Sequence, residues 1–265
     1  MTTFAAAPVG HQLRDWRTRR RMSQLDLALE AGVSARHLSF LETGRSKPSR
    51  DMVLRLCEKL SIPLRDRNGL LLAAGFAPAY QERPLEAPEM EPVRRAVAQV
   101  LTGHEPFPAA VVDRWWNLVA ANRNVSVFLE GVAGHLLEAP ANVFRASLHP
   151  EGMAPRIVNL AEWRGHLLDR LRREVAATAD ARLAELLEEV EGYPRPRDAA
   201  PPRPPQGAIA VPLVLRHGDR ELAFFSTVAT FGTAVDVTVA ELSIEAFFPA
   251  DAETATFLHG LLPER

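Results

Sequence analysis

The chain of 265 residues has a single cysteine, Cys57, which excludes an intrachain disulfide and any cysteine-rich zinc site. No stretch approaches the ~18 uninterrupted apolar residues of a membrane-crossing helix. The opening residues, Met1 to Pro8, are too short a lead-in for a signal peptide and lack a basic start, so a cytoplasmic protein is expected. There is no G-x-G-x-x-G, no phosphate-cradling P-loop, no H-E-x-x-H and no G-x-S-x-G. The eight histidines are scattered without ligand spacing, and His104-Glu105 precedes a proline in what reads as a loop. Catalysis, cofactor binding and metal binding therefore have no motif behind them. The chain reads as a non-enzyme with no cofactor.

What is present is an ordinary globular composition, 47% hydrophobic and 24% charged, long enough for two modest domains. The net charge of −2 conceals an asymmetry. Residues 1–80 hold 13 basic and 7 acidic side chains, whereas the remainder holds 18 basic and 26 acidic ones. A basic head on an acidic body suggests that the head alone meets a polyanion, although a charge run is also what any solvated face looks like.

Residues 1–76 read as an all-α bundle of short, sharply stopped helices. Leu13 and Trp16 begin the apolar stripe of a first helix, followed by the run Arg19-Arg20-Arg21. Ser23 precedes a helix start with an acid three residues on, Gly32 stops that helix, Ser34 starts the next and Gly44 ends it. A further helix opens at Arg50, with Met52, Leu56 and Leu60 at spacing four, and a last one runs from Asp66 to Ala74. Residues 77–92, punctuated by Pro78, Pro84, Pro88 and Pro92, form an acidic linker. Residues 93–265 read as an α+β domain with one antiparallel sheet. Its expected elements are a helix over 92–101, a hairpin of 109–113 with 117–121, and a helix over 122–129. A short helix at 143–147 and two amphipathic helices through Trp163–Val175 and Leu183–Val190 follow. A proline-rich loop over 194–205 leads to three strands at 209–215, 222–231 and 235–248, and a helix over 253–262 closes the chain. The apolar phase of the third strand moves from odd (Val235, Val237, Val239) to even (Leu242, Ile244, Phe248) positions, which predicts a β-bulge near Ala240-Glu241.

The most specific pattern lies between Gln24 and Leu41. Counting Gln24 as position one, Ala28 is fifth, Gly32 ninth, Leu38 fifteenth and Leu41 eighteenth. A helix-turn-helix needs a small residue where its helices cross, glycine in the turn, and a leucine pair that anchors the second helix inward. The segments Ser23-Gln24-Leu25-Asp26-Leu27-Ala28 and Leu38-Ser39-Phe40-Leu41-Glu42-Thr43-Gly44-Arg45 resemble the lambda-repressor-like, xenobiotic-response-element type of DNA-binding domain. A recognition helix over 34–42 would enter the major groove of double-stranded operator DNA by its N-terminal half. Ser34, Ala35, Arg36, His37, Ser39 and Phe40 then lie outward or at its edge. Arg36 suits bidentate bonding to guanine O6 and N7, Ala35 or Phe40 suits a thymine methyl, and Gln24 at a helix start suits a phosphate or a base edge. Arg45, Lys47 and Arg50 suit the phosphate backbone. The plainer reading makes Arg36 and His37 solvated residues and packs Phe40 on the domain or at a dimer contact. Arg17 is expected to pair with Glu42, as matching positions do in similar repressors. Cys57 reads as a buried, inert thiol.

The resemblance extends along the chain. Gly32-Val33-Ser34-Ala35-Arg36-His37-Leu38, Leu70-Leu71-Leu72-Ala73-Ala74-Gly75-Phe76, Ile157 to Trp163, Phe225-Ser226-Thr227 and Phe247-Phe248-Pro249-Ala250-Asp251 resemble the MmyB-like transcription regulators. That resemblance implies a multidomain regulator with an α+β, PAS-like ligand-binding domain; because one recognition helix covers few base pairs, a homodimer is expected. The resemblance also points towards fatty-acyl-type ligands. Candidate lining residues are Val112, Trp115, Trp116, Phe128, Phe144, Trp163, Leu167, Phe224, Val228 and Phe231, each of which also suits plain core. Arg145, His149, Arg156 and Asn159 are the candidate partners of a carboxylate head. Two other readings stay open: a ligand-free docking module, and an enzyme with an attached DNA-binding head.

Overall fold

In the computed structural model, which describes residues 7–194 and 211–261, the elements run α1 (Val9–Arg19), α2 (Gln24–Ala31), α3 (Ala35–Glu42), α4 (Arg50–Lys59), α5 (Leu64–Ala73), α6 (Glu91–Gly103), β1 (Ala109–Val112) and β2 (Leu118–Ala121). They continue through α7 (Ser126–Leu129), α8 (Val143–Leu148), α9 (Leu160–Thr178), α10 (Ala181–Glu191), β3 (Leu213–His217), β4 (Arg220–Thr230), α11 (Val237–Ala240), β5 (Ser243–Pro249) and α12 (Ala252–Gly260). The chain divides into two compact units, Met1–Pro84 with Gly232–Ala240, and Leu85–Phe231 with Glu241–Arg265.

Local chemistry delimits the helices of the first unit. Ser23 accepts from the Asp26 amide while the Asp26 carboxylate returns a bond to Ser23, a reciprocal cap that fixes the start of α2. Gly32 ends α2 at φ +65°, where a side chain would be strained. The Ser34 and Ser49 hydroxyls cap α3 and α4 in the same way. Leu13, Trp16, Leu27, Leu38, Leu41 and Leu56 meet in one core. Each leucine buried there contributes about 1.5–3 kcal/mol by leaving water. Cys57 lies within it, and burial pushes its thiol up to about 12, so it is a packing group rather than a nucleophile.

The segment Gly232–Ala240 overturns one expectation. Residues 235–240 are not strand, and no bulge accounts for the phase shift. The chain leaves β4, turns at Gly232-Thr233 and forms α11, whose start is fixed by the Asp236 carboxylate accepting from the Thr238 amide at 2.9 Å. Asp236 also pairs with Arg83 at 3.0 Å, and the Val237 amide donates to the Gln81 carbonyl. Of the odd-phase valines, Val237 and Val239 lie in this turn of helix and Val235 precedes it, while the even-phase Ile244 and Phe248 belong to β5.

In the second unit a five-stranded antiparallel sheet has the order β2-β1-β5-β4-β3. Alternation along the strands separates two apolar layers. Val111 and Ile244 pack with Val97 and Leu101 of α6, whereas Ala110 and Phe247 face the larger core formed by α7 to α10. The β1–β2 turn is organised by Asp113, whose carboxylate accepts from the Trp115 and Asn117 amides and from the Asn117 side chain. It holds Trp116 at φ +67°. The side chain of Asn122 bonds the Ala109 amide and the Leu101 and Phe107 carbonyls instead of capping the helix after it. The expected proline-rich loop, apart from Pro194, and Ile209 lie outside the described residues.

Gly10 sets how closely α1 approaches the end of α3. A Cβ there would overlap the Leu41 carbonyl oxygen and sit 2.9 Å from that of Glu42. Backbone cannot step aside as a side chain can. Gly10→Ala is expected to cost about 1–3 kcal/mol in denaturant unfolding of the helical unit, and an unchanged midpoint would show that the helices separate freely.

Candidate nucleic-acid interface and ligand cavity

The first unit presents α3 as expected. Leu38 and Leu41 are buried and Arg36 is exposed, while Ala35, His37, Ser39 and Phe40 are half-buried at its edge. The Ser34 hydroxyl is engaged in capping, accepting from the His37 amide at 3.1 Å. The Arg36 and Arg45 guanidinium groups lie over the Phe40 ring, 5.4 and 5.9 Å from its centre, so this ring braces two cations. Arg45, Lys47 and Arg50 are exposed in and just after the turn that follows α3.

Gln24 serves in part another purpose. Its amide donates to Glu42 Oε2 at 2.8 Å. Arg17 grips the same carboxylate through two nitrogens, Nε to Oε1 at 2.7 Å and Nη2 to Oε2 at 2.8 Å. Glu42 is only 1% exposed. Burial alone would push its carboxyl up, but the hydrogen bonds from Arg17 and Gln24 and the nearby positive charge hold it below the ordinary carboxylate range. The pair therefore ties α1, α2 and the end of α3 together.

The second unit encloses a cavity of about 90 Å³ between its sheet and helices. Five of the expected lining residues form its wall: Trp116, Phe128, Phe144, Trp163 and Leu167. Val112 and Phe224 lie in the surrounding core, Phe224 edge-on to Phe128. Trp115 points its indole N–H at Asp180, Phe231 packs in the opposite layer and Val228 is 44% exposed. The expected head-group residues are also occupied elsewhere. Arg145 is paired with Glu189, and Arg156 donates to the Val127 and Phe128 carbonyls. Asn159 binds the backbone of Pro212 and Val214, and His149 Nδ1 accepts from the Glu151 amide. None of these four is in the cavity wall.

Two family models match the chain. One describes helix-turn-helix domains and covers residues 13–66; the other, the MmyB-like transcription regulator ligand binding domain, covers residues 93–261. The chain belongs to the MmyB-like transcription regulators. It is also 30% identical over 115 residues to the HTH-type transcriptional regulator RghRB of Bacillus subtilis (strain 168), a match spanning 42% of this chain and 81% of that one. The regulator is thus a DNA-binding protein with a ligand-binding domain. Among its described residues no helix is long and apolar enough to cross a membrane.

Sequence reasoning missed part of this regulator's cavity. Asn142, Ala146, Ser147, Met153, Glu245 and Phe247 also line it. Glu245 and Phe247 were hidden by the apolar phase of β5, which marks Ile244 and Phe248; pairing of Glu245 with Ala110 puts it on the cavity face. The Asn142 side chain is fully used in holding the turn, donating to the Trp115 carbonyl and Asn117 and accepting from the Phe144 and Arg145 amides.

Removing Arg17 leaves Glu42 buried without its partner. Arg17→Ala is expected to destabilise the regulator by about 3–5 kcal/mol at neutral pH. Because the folded-state pKa of Glu42 is depressed, the pair's contribution is present above the ordinary carboxylate range and is lost as pH falls through the depressed value. The gap between wild type and variant should therefore narrow below about pH 4. Denaturant midpoints across pH check both the size and the sign.

Proposed function

We propose that this regulator reads operator DNA with the outer side of α3 and responds to a small apolar molecule held in the second unit. The observation that carries the first half is α3 itself, anchored inward by Leu38 and Leu41 with Arg36 exposed on its outer side. Arg36 is assigned to a guanine edge, and Ala35, His37, Ser39 and the Phe40 ring to its neighbours. Arg45, Lys47 and Arg50 are assigned to phosphates, and Ser34 to the helix start beside the backbone. One recognition helix spans few base pairs, so a two-fold homodimer on half-sites about one helical turn apart is the fitting arrangement.

The second half rests on the cavity walls, which are almost wholly aromatic and aliphatic. At about 10–15 Å³ per water-sized body, the space of about 90 Å³ takes roughly six to nine such bodies, so its occupant is on the order of eight non-hydrogen atoms in this conformation. A short acyl or alkyl chain has the right polarity and girth. A ligand shifts DNA binding only by preferring one conformation over another. The covalent route for that preference is the stretch 77–92 together with Gly232–Ala240, which belongs to the first unit and leads directly into β5, the strand bearing Glu245 and Phe247. A regulator of this kind works where the chromosome is, which places it in the cytoplasm.

Selecting duplexes from a random pool and measuring their affinity tests the DNA half. Arg36→Ala is expected to cost about 1–3 kcal/mol on the selected site and to relax preference at one base pair. Lys47→Ala should weaken all sequences alike and flatten the salt slope by about one unit. If Arg36→Ala leaves the preference unchanged, α3 is not the reading element. For the ligand half, solvent extraction of purified protein followed by mass spectrometry should release an apolar molecule, or apolar probes should raise the melting temperature. An empty protein indifferent to every probe points to a docking module instead.

A further inference from the structure

The cavity wall is mostly apolar; beside the neutral Asn142 and Ser147, Glu245 is its sole ionisable residue among those described. This carboxylate is nine-tenths buried. Its hydrogen bond among the described residues comes from Arg170 Nη1, which reaches Oε1 at 3.0 Å; Oε2 receives none. Arg170 is shared, however. Its Nε lies 3.5 Å from Glu174 Oε1, and its guanidinium stacks 4.1 Å from the centre of the Trp116 ring. Glu174 in turn accepts from the Trp116 indole N–H at 2.8 Å. Behind the wall, then, two carboxylates share one arginine. Burial pushes both carboxyls up, against the pull of Arg170. The apolar chamber thus ends at two carboxyls that divide one hydrogen-bonding arginine, the exposed Arg173 adding positive charge near Glu174 only.

We infer that the cavity selects an apolar amine, whose ammonium group binds the Glu245 carboxylate while its hydrocarbon body fills the space between Trp116, Phe128, Phe144 and Trp163. This rests on the reading of the cavity as a site for a small apolar ligand and adds the identity of the polar end. A protonated amine supplies a positive charge beside Glu245 and a donor for Oε2. A ligand carboxylate of the same length would bring a further acidic group to Glu245, whose described hydrogen-bonding cation, Arg170, is already divided with Glu174, and the Arg and Asn side chains expected to receive it point elsewhere. The Ser147 hydroxyl already accepts from the Trp163 indole at 3.1 Å and supplies no charge. The selectivity therefore resides in Glu245.

Isothermal titration calorimetry of the full chain with 1-octylamine, 1-octanol and octanoate separates the terms, because the three probes share a body and differ in the head. Octylamine should bind at least about tenfold more tightly than octanol, and octanoate more weakly than either. Glu245→Gln, which keeps an acceptor for Arg170, should bring octylamine down to the level of octanol and leave octanol unchanged. Octanoate binding as tightly as octylamine, or octylamine no better than octanol, overturns the assignment from the wild-type protein alone. If octanol binds and octylamine gains nothing, only the amine assignment fails. If none of the three binds, the apolar-ligand reading fails with it.

Discussion

A carboxylate removed from water stands where α1, α2 and α3 converge, and it is stable there only because Arg17 and Gln24 hold both of its oxygens. Burying the Glu42 charge at the end of the recognition helix makes the position of that helix a matter of hydrogen-bond geometry as well as of packing. Leucine contacts alone tolerate small rotations of a helix. A forked guanidinium on one carboxylate does not. Gly10 adds a second constraint of a different kind, since the backbone of α1 lies where a methyl group would meet the Leu41 carbonyl. Together they fix how α3 is seated on α1 and α2, and with it which side of that helix stays exposed.

The ligand-binding half is organised around a comparable exception to hydrophobic burial. Asp113 and Asn142 fold the β1–β2 turn and hold Trp116 in a backbone conformation that a tryptophan adopts rarely. The indole then bridges two environments. Its ring forms cavity wall and carries the Arg170 guanidinium, while its N–H satisfies Glu174. A turn, a strained residue and a charged cluster thus meet at one end of the apolar chamber. The strand that supplies Glu245 is the one that follows Gly232–Ala240, so a strand of the cavity wall and a segment of the helix-turn-helix unit are neighbours in the chain.

Much of this was legible in the sequence for stated physical reasons. Caps and stops are local, so Ser23, Gly32 and Ser34 announced the ends of α2 and the start of α3 without any tertiary knowledge. Period-four spacing found the buried face of α9, and the β1–β2 hairpin appeared where two short apolar runs close together in the chain placed it. What escaped notice was non-local. The valines 235, 237 and 239 alternate like a strand, yet the Asp236 carboxylate, paired with Arg83, caps a turn of helix that holds Val237 and Val239 and leaves Val235 outside it. Gln24 sits at a helix start, as a phosphate-binding residue would, and its amide also donates to Glu42, a partner that its position in the sequence does not announce. Arg145, Arg156 and Asn159 have the chemistry of an anion site, but partners distant in sequence claim them. Hydrophobic pattern identifies which residues leave water; it does not say which polar groups will find one another.

The central claim is that the side of α3 turned away from Leu38 and Leu41 meets DNA. Amide chemical shifts of the full chain, followed while a selected duplex is titrated in dilute salt, test it at residue resolution. The account predicts that the largest changes fall on residues 34–40 and on the turn carrying Arg45, Lys47 and Arg50, with the Arg17 and Glu42 side-chain pair intact. Changes centred on another surface, with those residues silent, would contradict it.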